Sequence, residues 1–294
     1  MTATVSATDK STTVPAGPQD VSEGTAAMPV LRRPKSAGNR FSTVWLPPLG
    51  VFGLIIAVWL GLSLSLGDRS YLMPTPWAVL ERGFLTWDTL QDILSATGRS
   101  AAVALTGLAV AIVIGVVWAV AMSQARWVER SLYPYAVILQ CIPVLALVPL
   151  IGFWFGYDFF ARTVVCVLIA LFPMVSNTLF GLRSVDRSHR ELFKLQGAGR
   201  WTILRKLELP AALPAMFAGM RISAGLAVVG AIVGDFFFQR GAPGIGALIS
   251  AYQSRLNSAE LFAGIIVASL FGVVVFILFG WLAKLAVGKW YDFA

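Results

Sequence analysis

The sequence predicts an all-α membrane protein with six transmembrane helices, and three observations predict it. Its 23 Lys and Arg and 15 Asp and Glu make only 13% of 294 residues, against roughly 25% in an average soluble domain. Hydrophobic residues make up 57% and mean hydropathy is +0.76. Six apolar runs are each long enough, at about 1.5 Å per residue, to cross about 30 Å of hydrocarbon. A soluble body with so few charges would leave large apolar patches in water. Disorder requires low hydrophobicity and high net charge, and two cysteines are too few for a disulfide scaffold. The net charge of +8 would suggest nucleic acid in a soluble protein. In a membrane protein it poses a different question, namely where the basic residues sit.

Residues 1–44 are rich in Ser, Thr, Ala, Pro and Gly and carry the basic cluster Arg32, Arg33, Lys35 and Arg40. They read as a disordered cytoplasmic tail whose charges mark topology. No short apolar core with a small-residue cleavage site occurs near Met1, so the first apolar run is expected to stay as an anchor. The runs are Trp45 to Leu66, Ser100 to Met122, Tyr133 to Phe155, Phe159 to Phe180, Ala211 to Phe238 and Leu261 to Val287. Continuous runs of this length choose helices over the alternating segments of a barrel.

Orientation follows from the basic residues. With the N-terminus inside, sixteen of the 23 fall on the cytoplasmic side and six on the other, while Arg221 lies within the fifth run. Both termini are therefore expected in the cytoplasm. The external connection 67–98 holds Met73-Pro74-Thr75-Pro76 followed by Trp77, Val79, Leu80, Phe84 and Leu85, which predicts a helix lying at the outer surface. The internal connection 181–210 gathers seven basic residues.

Within that internal connection, Ser188 and Glu191 stand in the S-x-x-E relation of a capping box, which predicts a helix from His189. Leu192 and Leu195 share one face of it. Gly197 and Gly199 interrupt it, glycine being poor inside a helix and good at its C-terminal cap. A second short piece carries Trp201, Leu204 and Leu207, and Pro210 is expected to end it. Two short helices broken by glycine, with apolar knobs in a basic setting, make a surface suited to docking. Charge serving topology or anionic lipid alone requires neither the cap nor these intervals.

The spacing Glu191-Leu192-Phe193, Gly197, Leu207-Glu208-Leu209-Pro210 resembles the EAA loop (E-A-A-x3-G-x9-I-x-L-P) of membrane subunits of binding-protein-dependent ABC importers. Leu192 and Phe193 stand for the two alanines and Leu207 for isoleucine. The segments Gln140-Cys141-Ile142-Pro143, Leu147-Val148-Pro149-Leu150, Phe153-Trp154-Phe155-Gly156, Phe172-Pro173, Gly219-Met220-Arg221 and Pro243-Gly244-Ile245-Gly246 resemble the branch associated with nitrate, sulfonate, taurine and bicarbonate. Where that branch commonly has Glu after the fifth helix, this chain has Asp235.

The resemblance implies a type I ABC importer permease fold over residues 45–294, with a core at about 96–285 and a coupling loop at 183–213. It implies a homodimer in a bacterial cytoplasmic membrane, two cytoplasmic ATPase subunits holding ATP and Mg, and an extracytoplasmic solute-binding protein. Glu191, Leu192, Phe193, Leu195, Gly197, Ala198, Trp201, Leu204, Leu209 and Pro210 would then form the ATPase contact. The chain has no G-x4-G-K-[ST] phosphate loop, so it is not expected to hydrolyse ATP. By analogy the solute is a small organic or inorganic anion such as a sulfonate, taurine or nitrate, with a vitamin precursor or an aromatic acid as alternatives.

Polar residues inside apolar spans either line a solute path or bond between helices. Gln140, Ser176, Asn177 and Ser223 are the candidates for the path, Gln140 and Asn177 first because each neighbours a helix-breaking proline, Pro143 and Pro173. Asp235 joins them as an ionisable residue near the outer end of a span, against a plainer role paired with Arg240 or capping the turn before Pro243. Arg221 can snorkel toward the interface. Gly152-x3-Gly156 and Gly230-x3-Gly234 are candidate close-packing faces. Cys141 and Cys166 are expected to be buried thiols, and His189 a solvated one-off. No metal set, catalytic set or nucleic-acid motif assembles. A channel or ion-coupled secondary transporter stays open as another class, although the intramembrane charge it needs is limited to Asp235 and Arg221.

Overall fold

The computed structural model describes residues 40–67, 71–238 and 242–288, and among them there are helices and turns but no strand. Contacts divide the chain into units 1–50 and 51–294. The expected tail lies mostly outside the described residues. Helix α1 (Arg40–Ser65) begins inside the segment assigned to that tail.

Among the described residues, five helices are long and apolar enough to span a membrane, and there are up to six spans if one bent pair counts as one. That pair is the third run, expected as one span carrying a helix-breaking Pro143. It forms α4 (Arg126–Cys141) and α5 (Val144–Phe155), bent by 96°. Proline disfavours helical backbone in the residue before it, and Ile142 accordingly turns extended at φ −66°, ψ 127° ahead of Pro143.

The external connection is shorter than predicted. Thr75 caps α2 (Pro76–Val79), its hydroxyl accepting from the Ala78 N–H at 3.2 Å, and a π-helical turn Leu80–Leu85 follows. Helix α3 then runs unbroken over Trp87–Gln124, absorbing the rest of the predicted surface segment. In α1, the Trp59 indole donates to the Pro74 carbonyl at 3.1 Å and the Ser63 hydroxyl to the Met73 carbonyl at 2.9 Å, while Trp59 stacks on Phe262 at 5.6 Å.

The centre is built from α3, α6 (Phe159–Arg183), α9 (Leu209–Phe237) and α11 (Ser258–Val287). Small residues let these backbones approach closely, since dispersion and not a hydrophobic drive holds helices together in lipid. Ala104, Ala111, Cys166, Ala170, Ala227 and Ala231 are all buried together. A side chain at Gly107 would overlap Cys166, and one at Gly230 would come within 2.9 Å of the Cys166 Cα. The second predicted glycine pair therefore does mark a close face, between α9 and α6. Cys166 is buried as expected, whereas Cys141 is exposed because the α4 break leaves it at a helix end.

Three shorter helices complete the described residues. α7 (Arg187–Leu195) and α8 (Arg200–Ile203) join α6 to α9, and α10 (Ile245–Ser254) joins α9 to α11.

Candidate functional site

The α6–α9 connection holds most of the predicted docking residues. Helix α7 starts two residues before the predicted position, at Arg187, with Asp186 as its N-cap. The capping box does not form. Glu191 instead accepts from Arg187, one turn back on the same face, Nε to Oε1 at 2.7 Å, which takes its carboxylate away from Ser188. The other end matches the glycine argument. Gly197 has φ +73°, its N–H donates to the Lys194 carbonyl at 2.9 Å and the Ala198 N–H to the Phe193 carbonyl at 3.0 Å. This is a Schellman cap, and only glycine enters that left-handed turn without penalty.

Leu195 is 86% exposed, Trp201 69% and Leu192 50%, and Glu191 is exposed beside them. Phe193, Ala198, Leu209 and Pro210 are half-buried. Leu204 departs from the expected set: it is 1% exposed and packs among Met174, Leu182 and Met216 in the core, so it anchors the loop instead of presenting a knob. Pro210 does not end a helix either. A π-helical turn at Leu204–Glu208 leads straight into α9, with Pro210 in the first turn, where its missing N–H costs nothing.

The loop is tied down by Arg190. Its Nη2 donates to the Leu182 carbonyl at 2.7 Å, and its Nε lies 3.2 Å from Glu208 Oε1. Arg183 at the end of α6 pairs with Glu129 on α4. His189 stands exposed, 3.9 Å from Asp186.

At the other end of the bundle, Asp235 is fully buried. It pairs with Arg162 at 3.2 Å and accepts a short 2.5 Å bond from the Ser100 hydroxyl, which in turn accepts from the Ile245 N–H at 2.8 Å. Arg162 also donates to the carbonyls of Phe238 at 2.8 Å and Ala242 at 3.1 Å. A side chain at Gly244 would overlap the Asp235 carboxylate. Asp235 thus joins α3, α6, α9 and the start of α10 as a buried junction, which favours the plainer of its two expected roles. Arg240, its anticipated partner, lies outside the described residues. Neither Arg162 nor Ser100 was singled out in the sequence, although an arginine within the apolar run Phe159 to Phe180 is itself a signal.

The polar set divides similarly. Ser223 is buried, and its hydroxyl donates to the Ala170 carbonyl across to α6 at 2.7 Å, an interhelical bond. Ser176 and Asn177 bond back to the Pro173 carbonyl at 3.3 and 2.8 Å, and Asn177 also packs against Gly219 of α9. Gln140 lines a cavity of about 260 Å³ together with Leu139, Val144, Phe172, Pro173 and Leu226. Arg221 lies 3.9 Å over the Phe276 ring, a cation–π contact. Among the described residues no group of His, Cys, Asp or Glu could hold a metal.

A family model described as the inner membrane component of binding-protein-dependent transport systems matches residues 111–287. The chain belongs to that family. It is a permease of a binding-protein-dependent ABC importer, a multi-pass membrane subunit. This permease is 35% identical to the formylaminopyrimidine transport permease ThiX of Halalkalibacterium halodurans, over 79% of this chain and 90% of that one. It is 33% identical to the riboflavin transport permease RibX of Chloroflexus aurantiacus, over 81% and 87%. A putative aliphatic sulfonates permease of Escherichia coli is 31% identical over 78% and 84%. Among solved structures, the MetNI methionine ABC transporter in inward-facing conformations aligns with a TM-score of 0.55 at 16% identity, covering 68% of this permease and 96% of that chain, a likeness of fold.

Proposed function

We propose that two copies of this permease enclose a solute path driven by a pair of separate ATPase subunits, which hold ATP and Mg and grip the α7–α8 loops from the cytoplasm. Both termini lie on that side of a bacterial cytoplasmic membrane. An extracytoplasmic binding protein delivers the solute. The observation that carries this reading is the exposure of Leu192, Leu195 and Trp201 on a short helix pair that Gly197 caps and Arg190 anchors. Apolar side chains held so firmly in the open have a partner to meet. A rigid loop also transmits the movement of that partner to α6 and α9, the two helices it joins.

For the solute, the reading favours a vitamin precursor of the heterocyclic kind over a sulfonate. The relatives at 33% identity and above carry the names of formylaminopyrimidine and riboflavin. The cavity beside Gln140 offers an amide and the Phe172 ring, with no cation among its lining residues to hold a sulfonate. The test is uptake into proteoliposomes containing the permease, its ATPase and its binding protein. ATP-dependent accumulation of a formylaminopyrimidine, unaffected by excess taurine, is expected. Leu195→Glu should weaken ATPase binding by roughly tenfold. Uptake by the permease alone without ATP would overturn the importer reading, and competition by taurine the solute assignment.

A further inference from the structure

A recess of about 680 Å³ opens between the start of α4, the end of α6 and α7, lined by Arg126, Arg130, Arg183 and Arg190 with Glu129 and Tyr133. A second recess of about 340 Å³ continues from it, sharing Arg126 and Arg190 and adding Lys194, Arg200 and Glu208. Six cations therefore face two carboxylates. Both carboxylates are already matched, Glu129 with Arg183 and Glu208 with Arg190. No ion pair within the described residues serves Arg126, Arg130, Lys194 or Arg200. A general bias toward basic residues on one side of a membrane would scatter these charges into solvent. Here they converge on one concave space, where their mutual repulsion calls for an anion.

We propose that this recess binds the phosphodiester headgroup of an anionic phospholipid. Arginine forks match phosphate oxygens in pairs, and a phosphodiester offers such oxygens without needing to be protonated or dehydrated in full. The depth argues for a lipid over a free phosphate. Helix α4, which forms one wall, carries Trp127 at 72% exposed, with Tyr133 and Tyr135 also exposed. Exposed Trp and Tyr settle at headgroup level. The recess also sits where the apolar helices α3 and α6 end, at Gln124 and Arg183. The recess takes Arg190, Lys194 and Arg200 from the proposed docking loop, whereas Arg126 and Arg130 on α4 and Arg183 on α6 lie apart from it, so the test is placed on Arg126 and Arg130.

The experiment titrates the delipidated, full-length chain in neutral detergent with phosphatidylglycerol or phosphatidylcholine, read by native mass spectrometry, with inorganic phosphate as competitor. Preferential retention of phosphatidylglycerol, undisturbed by excess phosphate, is expected. Arg126→Gln/Arg130→Gln should lower that retention by roughly tenfold or more, while Lys284→Gln, outside the recess, should leave it unchanged. If the double variant fails to fold, Arg130→Gln alone carries the same measurement. Equal retention of the two lipids, equal loss with Lys284→Gln, or unchanged retention in the recess variants would overturn the proposal. Displacement by phosphate would overturn the lipid as the source of the anion.

Discussion

Two arginine–carboxylate pairs at opposite ends of the bundle contrast in what an ion pair can do. Arg187 and Glu191 lie 2.7 Å apart with side chains 92% and 55% exposed. Arg162 and Asp235 lie 3.2 Å apart at 5% and 0%. The shorter contact is the weaker one, because water screens it and two long side chains lose freedom to make it. The longer contact is sealed from solvent and backed by Ser100 and three backbone groups, so neither partner can be removed cheaply. Burial decides the energetic role, and distance does not.

The largest effect is expected from Asp235→Ala. It removes the carboxylate that the buried Arg162 charge pairs with, a loss of about 3–5 kcal/mol to be read as a lowered thermal unfolding midpoint in detergent. The double change Arg162→Met/Asp235→Leu should recover most of it. If the single variant melts like the parent, the contrast between the two ends fails.

A smaller effect is expected from Gly197→Ala. Nothing lies within 4 Å of the added methyl, so the cost is that of the left-handed backbone alone, about 1 kcal/mol. It should appear as faster amide exchange at the end of α7, with the bundle unaffected. Protection unchanged there would show that the cap does not hold the loop.

The smallest stability effect belongs to Glu191→Gln, within about 0.5 kcal/mol of the parent. On the proposed docking role, ATP-driven uptake should nevertheless fall while the unfolding midpoint stays. Uptake and midpoint both unchanged would remove Glu191 from the ATPase contact.

Much of the docking loop was legible because its signals are local. The glycine at the end of α7 was visible as a cap, since the left-handed turn constrains one residue. The capping box does not form because Arg187, four residues before Glu191, competes for its carboxylate with the Ser188 backbone three residues before it. Leu204 and Pro210 were misread because spacing cannot tell an exposed apolar face from one folded onto the bundle, and a π-helical turn shifts the register just there. Asp235 stands out in the sequence as costly, but its partner Arg162 is distant in sequence, so the pair itself is not visible there.

By itself the sequence determined a helical membrane protein, the approximate places of its apolar runs, the glycine cap and the likeness to importer permeases. These follow from backbone hydrogen bonding in lipid and from the conformational limits of single residues. Only the tertiary structure decided that the third run bends by 96° at its break, that Ser223 and Asp235 bind helices together, and that six cations line two adjoining recesses. Each of these depends on which faces of distant helices meet, and that is fixed by close packing across the bundle.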